Sequence, residues 1–105
     1  MTTETFGKVL EGLYAQSATL LSRKAEEYAR EEDRLAAFKK AAVFSGTTAR
    51  RVLFGYMLKH ITSLFDLNAT DEKNFGLWNE KIIDTINYLC LLHAILIEEL
   101  QNEKN

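Results

Sequence analysis

The chain has 105 residues and a net charge of -2, from 13 basic and 15 acidic side chains. A chain of this length forms a single domain that is too small to bury a large core or a second site, so we expect any deep pocket to lie between subunits. The nearly balanced charge offers no general attraction for nucleic acids or anionic membranes, and we predict that neither is a partner.

Cysteine usage and hydropathy indicate the compartment. The single Cys90 lies in an apolar run, which excludes an internal disulfide, and we expect it to be a small buried apolar residue in a reducing compartment. No segment approaches the roughly 18 uncharged apolar residues of a membrane span, and the N-terminus has no basic stretch ahead of an apolar one. We therefore predict a soluble, cytoplasmic protein.

The fold class is predicted to be all-α, because the chain has no proline and no segment alternates at period two for long enough to form a strand. The first helix is predicted over residues 3–29. Its apolar stripe has spacings of three and four and consists of Phe6, Leu10, Leu13, Ser17, Leu20 and Leu21. One turn further the same face becomes polar, at Lys24, Glu27 and Tyr28.

Three more helices are predicted over residues 33–45, 48–67 and 75–100. Asp33 is expected to cap the second helix, and Gly46 to end it in a left-handed conformation. Thr47 or Thr48 is expected to cap the third helix, which is apolar almost all round and is expected to be central. The middle of the fourth helix is also apolar on two faces. The pattern predicts a four-helix bundle-like domain that forms a homo-oligomer, most simply a dimer.

The fourth helix carries the polar positions with the greatest chemical interest. Glu80, Asp84 and Asn87 share one face, because helical neighbours lie three and four residues apart, and they are able to converge on a cation or a phosphate. The alternatives are a solvated face or a surface ion pair between Lys81 and Asp84. The two histidines, His60 and His93, are expected to be packed with one nitrogen satisfied, because no second ligand lies at metal spacing.

Several short segments together resemble a known family. They are Lys24-Ala25-Glu26-Glu27-Tyr28, Asp33-Arg34-Leu35 with Phe38, Lys59-His60 with Ser63 and Asp66, Trp78, Glu80-Lys81, Asp84 and Asn87-Tyr88-Leu89. Over residues 24–99 the chain resembles the nucleotide-modification-associated domain proteins of phages and prophages. Those proteins are themselves similar to the MazG-like, all-α nucleoside triphosphate pyrophosphohydrolases.

The resemblance implies a helical bundle that holds Mg²⁺ with carboxylates from two facing helices and cleaves a nucleotide between its α and β phosphates. Mg²⁺ takes oxygen ligands from carboxylates, water and substrate phosphates. Glu27 and Asp84 match the family motifs and are the implied catalytic pair and metal ligands, while the neighbouring Glu31 and Glu80 are further candidate metal ligands of a rebuilt set. The implied substrate contacts are Lys24, Tyr28, Arg34, Lys59, Lys81, Asn87 and Tyr88.

Two positions depart from the family pattern, because Arg30 and Lys81 stand where the family has glutamates. Either the ligand set is rebuilt from neighbouring carboxylates or metal catalysis is lost. Two hypotheses follow. The first is a phage-type, metal-dependent nucleoside triphosphate pyrophosphohydrolase, which the retained Glu27, Asp84 and Asn87 favour. The second is a non-catalytic helical module that binds an anion or a protein partner, which the two cations favour.

Overall fold

The computed structural model describes residues 1–27 and 33–104, with side chains described for residues 1–23 and 33–103. The described chain consists of α1 (Thr3–Glu27), α2 (Ala36–Ser45), α3 (Ala49–Ala69) and α4 (Phe75–Lys104). No strand occurs in these described ranges, and the all-α prediction is confirmed. No helix in the described part of the chain has the length and apolarity needed to cross a membrane.

Local side-chain chemistry sets the limits of α2 and α3. α2 begins at Ala36, three residues later than predicted, because the Asp33 carboxylate accepts a hydrogen bond from the Leu35 backbone N–H at 2.9 Å and so closes a turn ahead of the helix. Gly46 ends α2 with φ of 68°, in the left-handed region, as predicted. Thr48 caps α3, since its hydroxyl oxygen accepts from the Arg51 backbone N–H at 3.3 Å.

The hydrophobic core lies among α2, α3 and α4, which we call the three-helix core. Its buried centre consists of Leu35, Phe38, Leu53 and Ile95, and Leu53 has no exposed surface. α3 packs against both α2 and α4, while α4 packs against both α3 and α1. The central position that we predicted for α3 is therefore shared with α4.

The first helix is attached differently. Among the described residues α1 packs against α4 alone, so one narrow line of its surface is covered. Within the predicted apolar stripe Ser17 is the buried member, the leucines are half-buried, and Phe6 is 51% exposed. The stripe therefore faces α4 as predicted, but it is buried only at its middle because no second helix covers its start.

Two predictions about burial on α4 are wrong. Cys90 and His93 are both exposed, although we expected a buried thiol and a packed imidazole. They lie three residues apart on a face of α4 that also carries Ile97, which is 44% exposed. The contacts of α4 with α1 and α3 use its other faces, and for that reason this one stays open. The predicted homo-oligomer, which would cover such a face, stays a prediction.

Candidate functional site

A pocket of about 550 Å³ lies where α1, α2, α3 and α4 meet, and we call it the central pocket. Its described lining consists of Leu21, Asp33, Arg34, Ala36, Ala37, Phe38, Lys40, Tyr56, His60, Asp84, Asn87, Tyr88 and Leu91. This volume is within the range of roughly 300–1,000 Å³ that is typical of small-molecule sites. This pocket is formed by residues of one chain, and the expected pocket between subunits stays a prediction.

Helical spacing brings the polar side chains of α4 into this pocket. Asp84, Asn87, Tyr88 and Leu91 follow one another at intervals of three, one and three residues, which places them on one face. The wall of the pocket that α4 forms therefore carries both polar and apolar side chains.

The most buried polar contact of the site joins α1 to α4. The Ser17 hydroxyl donates a hydrogen bond to Oδ1 of Asn87 at 2.5 Å, and both residues are only 4% exposed. The second amide atom, Nδ2 of Asn87, is buried and has no hydrogen-bond partner among the described residues. A buried amide donor without a partner costs about 1–3 kcal/mol, so this amide is a costly feature of the contact between α1 and α4.

A histidine and a carboxylate face each other across the pocket. Nδ1 of His60 lies 3.5 Å from Oδ2 of Asp84, and their side chains are 19% and 20% exposed. At this length the contact is electrostatic rather than a hydrogen bond, in agreement with the absence of a hydrogen-bond partner for Nδ1 among the described residues. The His60 ring also lies 4.9 Å from the ring of Tyr88, tilted by 31°. These rings form a polarisable wall.

Charged groups line the outer part of the pocket. Arg34 is half-buried and Lys40 is exposed, and both belong to the lining. Asp33 is engaged by Lys39, which also pairs with Glu98 at 2.9 Å. The hydrogen bond from Lys39, followed by that from the Leu35 backbone N–H, lowers the pKa of Asp33. Its negative charge is therefore compensated locally.

The structure brings together part of the predicted site. Arg34, Asp84, Asn87 and Tyr88 all line the central pocket. Glu80 and Lys59 are exposed, Lys81 is half-buried, and none of the three belongs to the lining. The Tyr28 and Glu31 positions, and the side chains of Lys24 and Glu27, lie outside the described part of the chain.

The neighbours of Asp84 differ from the predicted alternatives. The described side-chain neighbour of its carboxylate is His60 on α3, not Lys81 on its own helix. Within the described side chains, no three His, Cys, Asp or Glu residues converge as a metal site requires. Since the Glu27 and Glu31 side chains lie outside that set, Mg²⁺ binding stays a prediction, and we assign no chemical step to a metal.

Two residues of the site were not identified as functional from the sequence. His60 follows Tyr56 by one helical turn, and both face the pocket. The only signal for His60 was its place beside an apolar face, which is equally typical of a packed histidine. Ser17 gave a clearer signal, because it is the one polar residue within the apolar stripe of α1.

Comparison with known proteins adds no assignment. The chain matches no protein-family model, no curated protein and no solved structure. The resemblance to the phage family thus stays a prediction, and the geometry of the pocket is the basis for a functional proposal.

Proposed function

We propose that the chain binds a small anionic ligand of the nucleotide class in the central pocket, with the aromatic group inside and the phosphate at the rim. The observation that carries this proposal is the central pocket itself, whose described lining combines aromatic rings with the Arg34 side chain.

The inner walls suit a flat, partly apolar group. Leu21 and Leu91 supply aliphatic surface, while His60, Tyr88 and Phe38 supply ring faces and edges. Aromatic side chains stack on bases with a gain of about 1–3 kcal/mol per base in single-stranded nucleic-acid complexes. A base in the pocket therefore has a stacking surface.

The rim suits a phosphate. Arg34 is half-buried in the pocket lining, and a planar guanidinium makes two parallel hydrogen bonds to phosphate oxygens. Asp33, the carboxylate next to Arg34 in the sequence, is paired with Lys39. It therefore repels an approaching phosphate less than an unpaired carboxylate would.

Calorimetric titration with nucleoside mono-, di- and triphosphates tests the proposal. We expect binding that persists in a chelator, because the Arg34 contact needs no metal. Arg34→Ala is expected to weaken binding about tenfold by removing a charge-assisted contact. The matched control is Arg51→Ala, an exposed arginine of α3 outside the pocket lining. The proposal fails if no nucleotide binds, or if the two variants weaken binding equally.

Hydrolysis of the ligand is a second candidate function, favoured by the Asp84 carboxylate inside the same pocket. The measurement is pyrophosphate release from nucleoside triphosphates in the presence of Mg²⁺ or Mn²⁺. If the implied pyrophosphohydrolase activity exists, Asp84→Asn is expected to lower the rate at least about a hundredfold, as loss of a general base or a metal ligand does. Binding without release from the wild type retains the binding function and rejects the hydrolytic one.

A further inference from the structure

An apolar stripe runs along α3 on a side that the core leaves open. It consists of Phe54, Leu58, Ile61 and Phe65, which follow one another at intervals of four, three and four residues. Because successive residues of an α-helix are about 100° apart, these four fall within about 60° of one another. Ile61 is half-buried, and the other three are between 48% and 71% exposed. Leu53, which has no exposed surface, lies on a different side of the helix, so the stripe is a second apolar face of α3.

A second apolar stripe runs along α4. It consists of Phe75, Ile82, Leu89 and Leu96, which repeat at intervals of seven residues. Ile82 is half-buried, and the other three are between 37% and 75% exposed. The α3 stripe contains the same interval twice. A seven-residue apolar repeat is typical of helices that pack along one another in left-handed bundles, so both stripes suit an additional layer of helices.

The two stripes lie on the same side of the α3–α4 pair. On α3, Tyr56 marks the side that faces α2, because its ring meets the ring of Phe38 edge-on with centroids 6.1 Å apart. On α4, Leu91 marks the side that lines the central pocket together with α2. The centre of each stripe lies roughly 170° round its own helix from that marker. The two stripes therefore form one surface on the side away from α2 and the central pocket, and we call it the outer face.

The outer face is large for an apolar surface that is open to water. Its side chains expose roughly 700 Å², while the largest apolar patch on a typical monomer is about 300–600 Å². A standard protein–protein interface buries about 800 Å² on each partner. The outer face is therefore of the size that one protein partner covers.

The arrangement of the stripes fits a second copy of the chain. α3 and α4 are antiparallel, because Arg50 pairs with Glu99 at one end of the core. Further along, His60 contacts Asp84 and the ring of Tyr88, so it lies level with the segment of α4 between them. The α3 stripe is symmetric in spacing about a point between residues 59 and 60, and the α4 stripe about a point between residues 85 and 86. Both midpoints are thus at the same height, and a two-fold axis there places each stripe antiparallel against the same stripe of a partner.

Opposite charges stand at the two ends of the α3 stripe. Arg51 precedes Phe54 by three residues, Asp66 follows Phe65 directly, and both charged residues are exposed. Neither side chain has an ion-pair partner among the described residues. In the antiparallel arrangement each Arg51 lies near the partner's Asp66, and symmetry produces this contact twice. This complementarity favours a second copy over an unrelated partner.

We propose that the outer face is the interface of a homodimer, in which α3 and α4 of two chains form a four-helix bundle with two-fold symmetry. Burial of the stripes supplies the free energy of association, and the contacts between Arg51 and the partner's Asp66 fix the register. The central pocket lies on the opposite side and stays open in this dimer, so the inference is independent of the proposed nucleotide binding. Because a dimer adds concentration-dependent stability, free energies of unfolding for variants of α3 refer to concentrations below its dissociation constant.

Sedimentation velocity over a range of protein concentrations tests the interface. The wild type is expected at twice the 12.0 kDa mass of the chain at micromolar concentrations. Leu58→Glu places a charge near the two-fold axis and is expected to raise the dimer dissociation constant at least about a hundredfold. Val43→Glu is the matched control, because Val43 is 84% exposed on α2 and lies outside the outer face. Far-UV circular dichroism of both variants checks that the helices are retained.

Charge reversal tests the two-fold arrangement and leaves the apolar stripes intact. Arg51→Glu and Asp66→Arg are each expected to weaken the homodimer about tenfold, because like charges then meet twice. Mixing the two single variants is expected to restore the dimer, since every charge of one chain then meets an opposite charge on the other. The double variant is expected to restore it as well.

Three outcomes would overturn the proposal. A wild type that stays monomeric at about 100 µM excludes the homodimer and leaves the outer face to another partner. A dimer that Leu58→Glu and Val43→Glu affect equally uses a different face. If mixing the two charge-reversal variants fails to restore association, the antiparallel two-fold arrangement is wrong.

Discussion

The three-helix core and the attachment of α1 hold the molecule together by different means. The core buries Leu35, Phe38, Leu53 and Ile95 against one another. α1 is attached to α4 by hydrogen bonds from Ser17 to Asn87 and from Asn79 to Gln16, together with half-buried leucines. Apolar burial supplies most of the stability of a domain, while buried polar contacts specify one arrangement. The central pocket lies at the junction of these two regions.

The sharpest test of this comparison removes apolar volume from the core. Leu53→Ala creates a cavity at the one large side chain that has no exposed surface among the described residues, and we expect the free energy of unfolding to fall by about 3 kcal/mol. Leu58→Ala is the matched control, because Leu58 belongs to the same helix and is 62% exposed. Urea denaturation of both variants measures the difference. Equal losses would mean that the core is not where the stability resides.

The second test acts on the α1 attachment. Ser17→Ala leaves Oδ1 of Asn87 buried without its donor, and we expect a loss of about 1–2 kcal/mol in the free energy of unfolding. Hydrogen exchange should show the loss mainly as faster exchange in α1, because α3 keeps its core contacts. Ser63→Ala, which removes only a hydroxyl that donates to the Lys59 carbonyl within α3, serves as the control. Uniform acceleration across all helices would contradict a separate attachment of α1.

The smallest expected effect concerns the ion pair beside the pocket. The hydrogen bond from Lys39 lowers the pKa of Asp33, so the contribution of this carboxylate to stability is complete above its ordinary value of 3.8 and is lost as the pH falls through the lowered pKa of the folded chain. Asp33→Asn keeps the acceptor for the Leu35 N–H and removes the charge. We expect the free energy of unfolding of the wild type to exceed that of this variant by less than about 1 kcal/mol at neutral pH, since both side chains of the Lys39–Asp33 pair are substantially exposed.

Thermal unfolding followed from pH 7 downwards measures that difference. The gap between wild type and Asp33→Asn should close as the pH falls below 3.8. Lys39→Gln provides the companion variant, and combining it with Asp33→Asn should cost less than the sum of the two single changes. A gap that widens on acidification would contradict the assigned ion pair.

The sequence pattern was sufficient to predict the helices and part of the candidate site. The caps at Thr48 and Gly46 depend on residues within four positions of each other, and the sequence displays them directly. The shared face of Asp84 and Asn87 follows from helical spacing in the same way. Glu80 obeys the same spacing and yet lies outside the pocket, because periodicity indicates a face of α4 but not how far along that face the neighbouring helices reach.

The sequence alone determined that this protein is all-α, that helices α2 and α3 are separated by a glycine turn, and that polar side chains share one face of the last helix. Those properties arise from interactions between residues a few positions apart. Only the tertiary structure decided that Ser17 meets Asn87 across 70 positions, that His60 faces Asp84, and that Cys90 is exposed. Such pairings depend on which helix faces pack together, and the packing is chosen by the burial of the whole chain rather than by any local pattern.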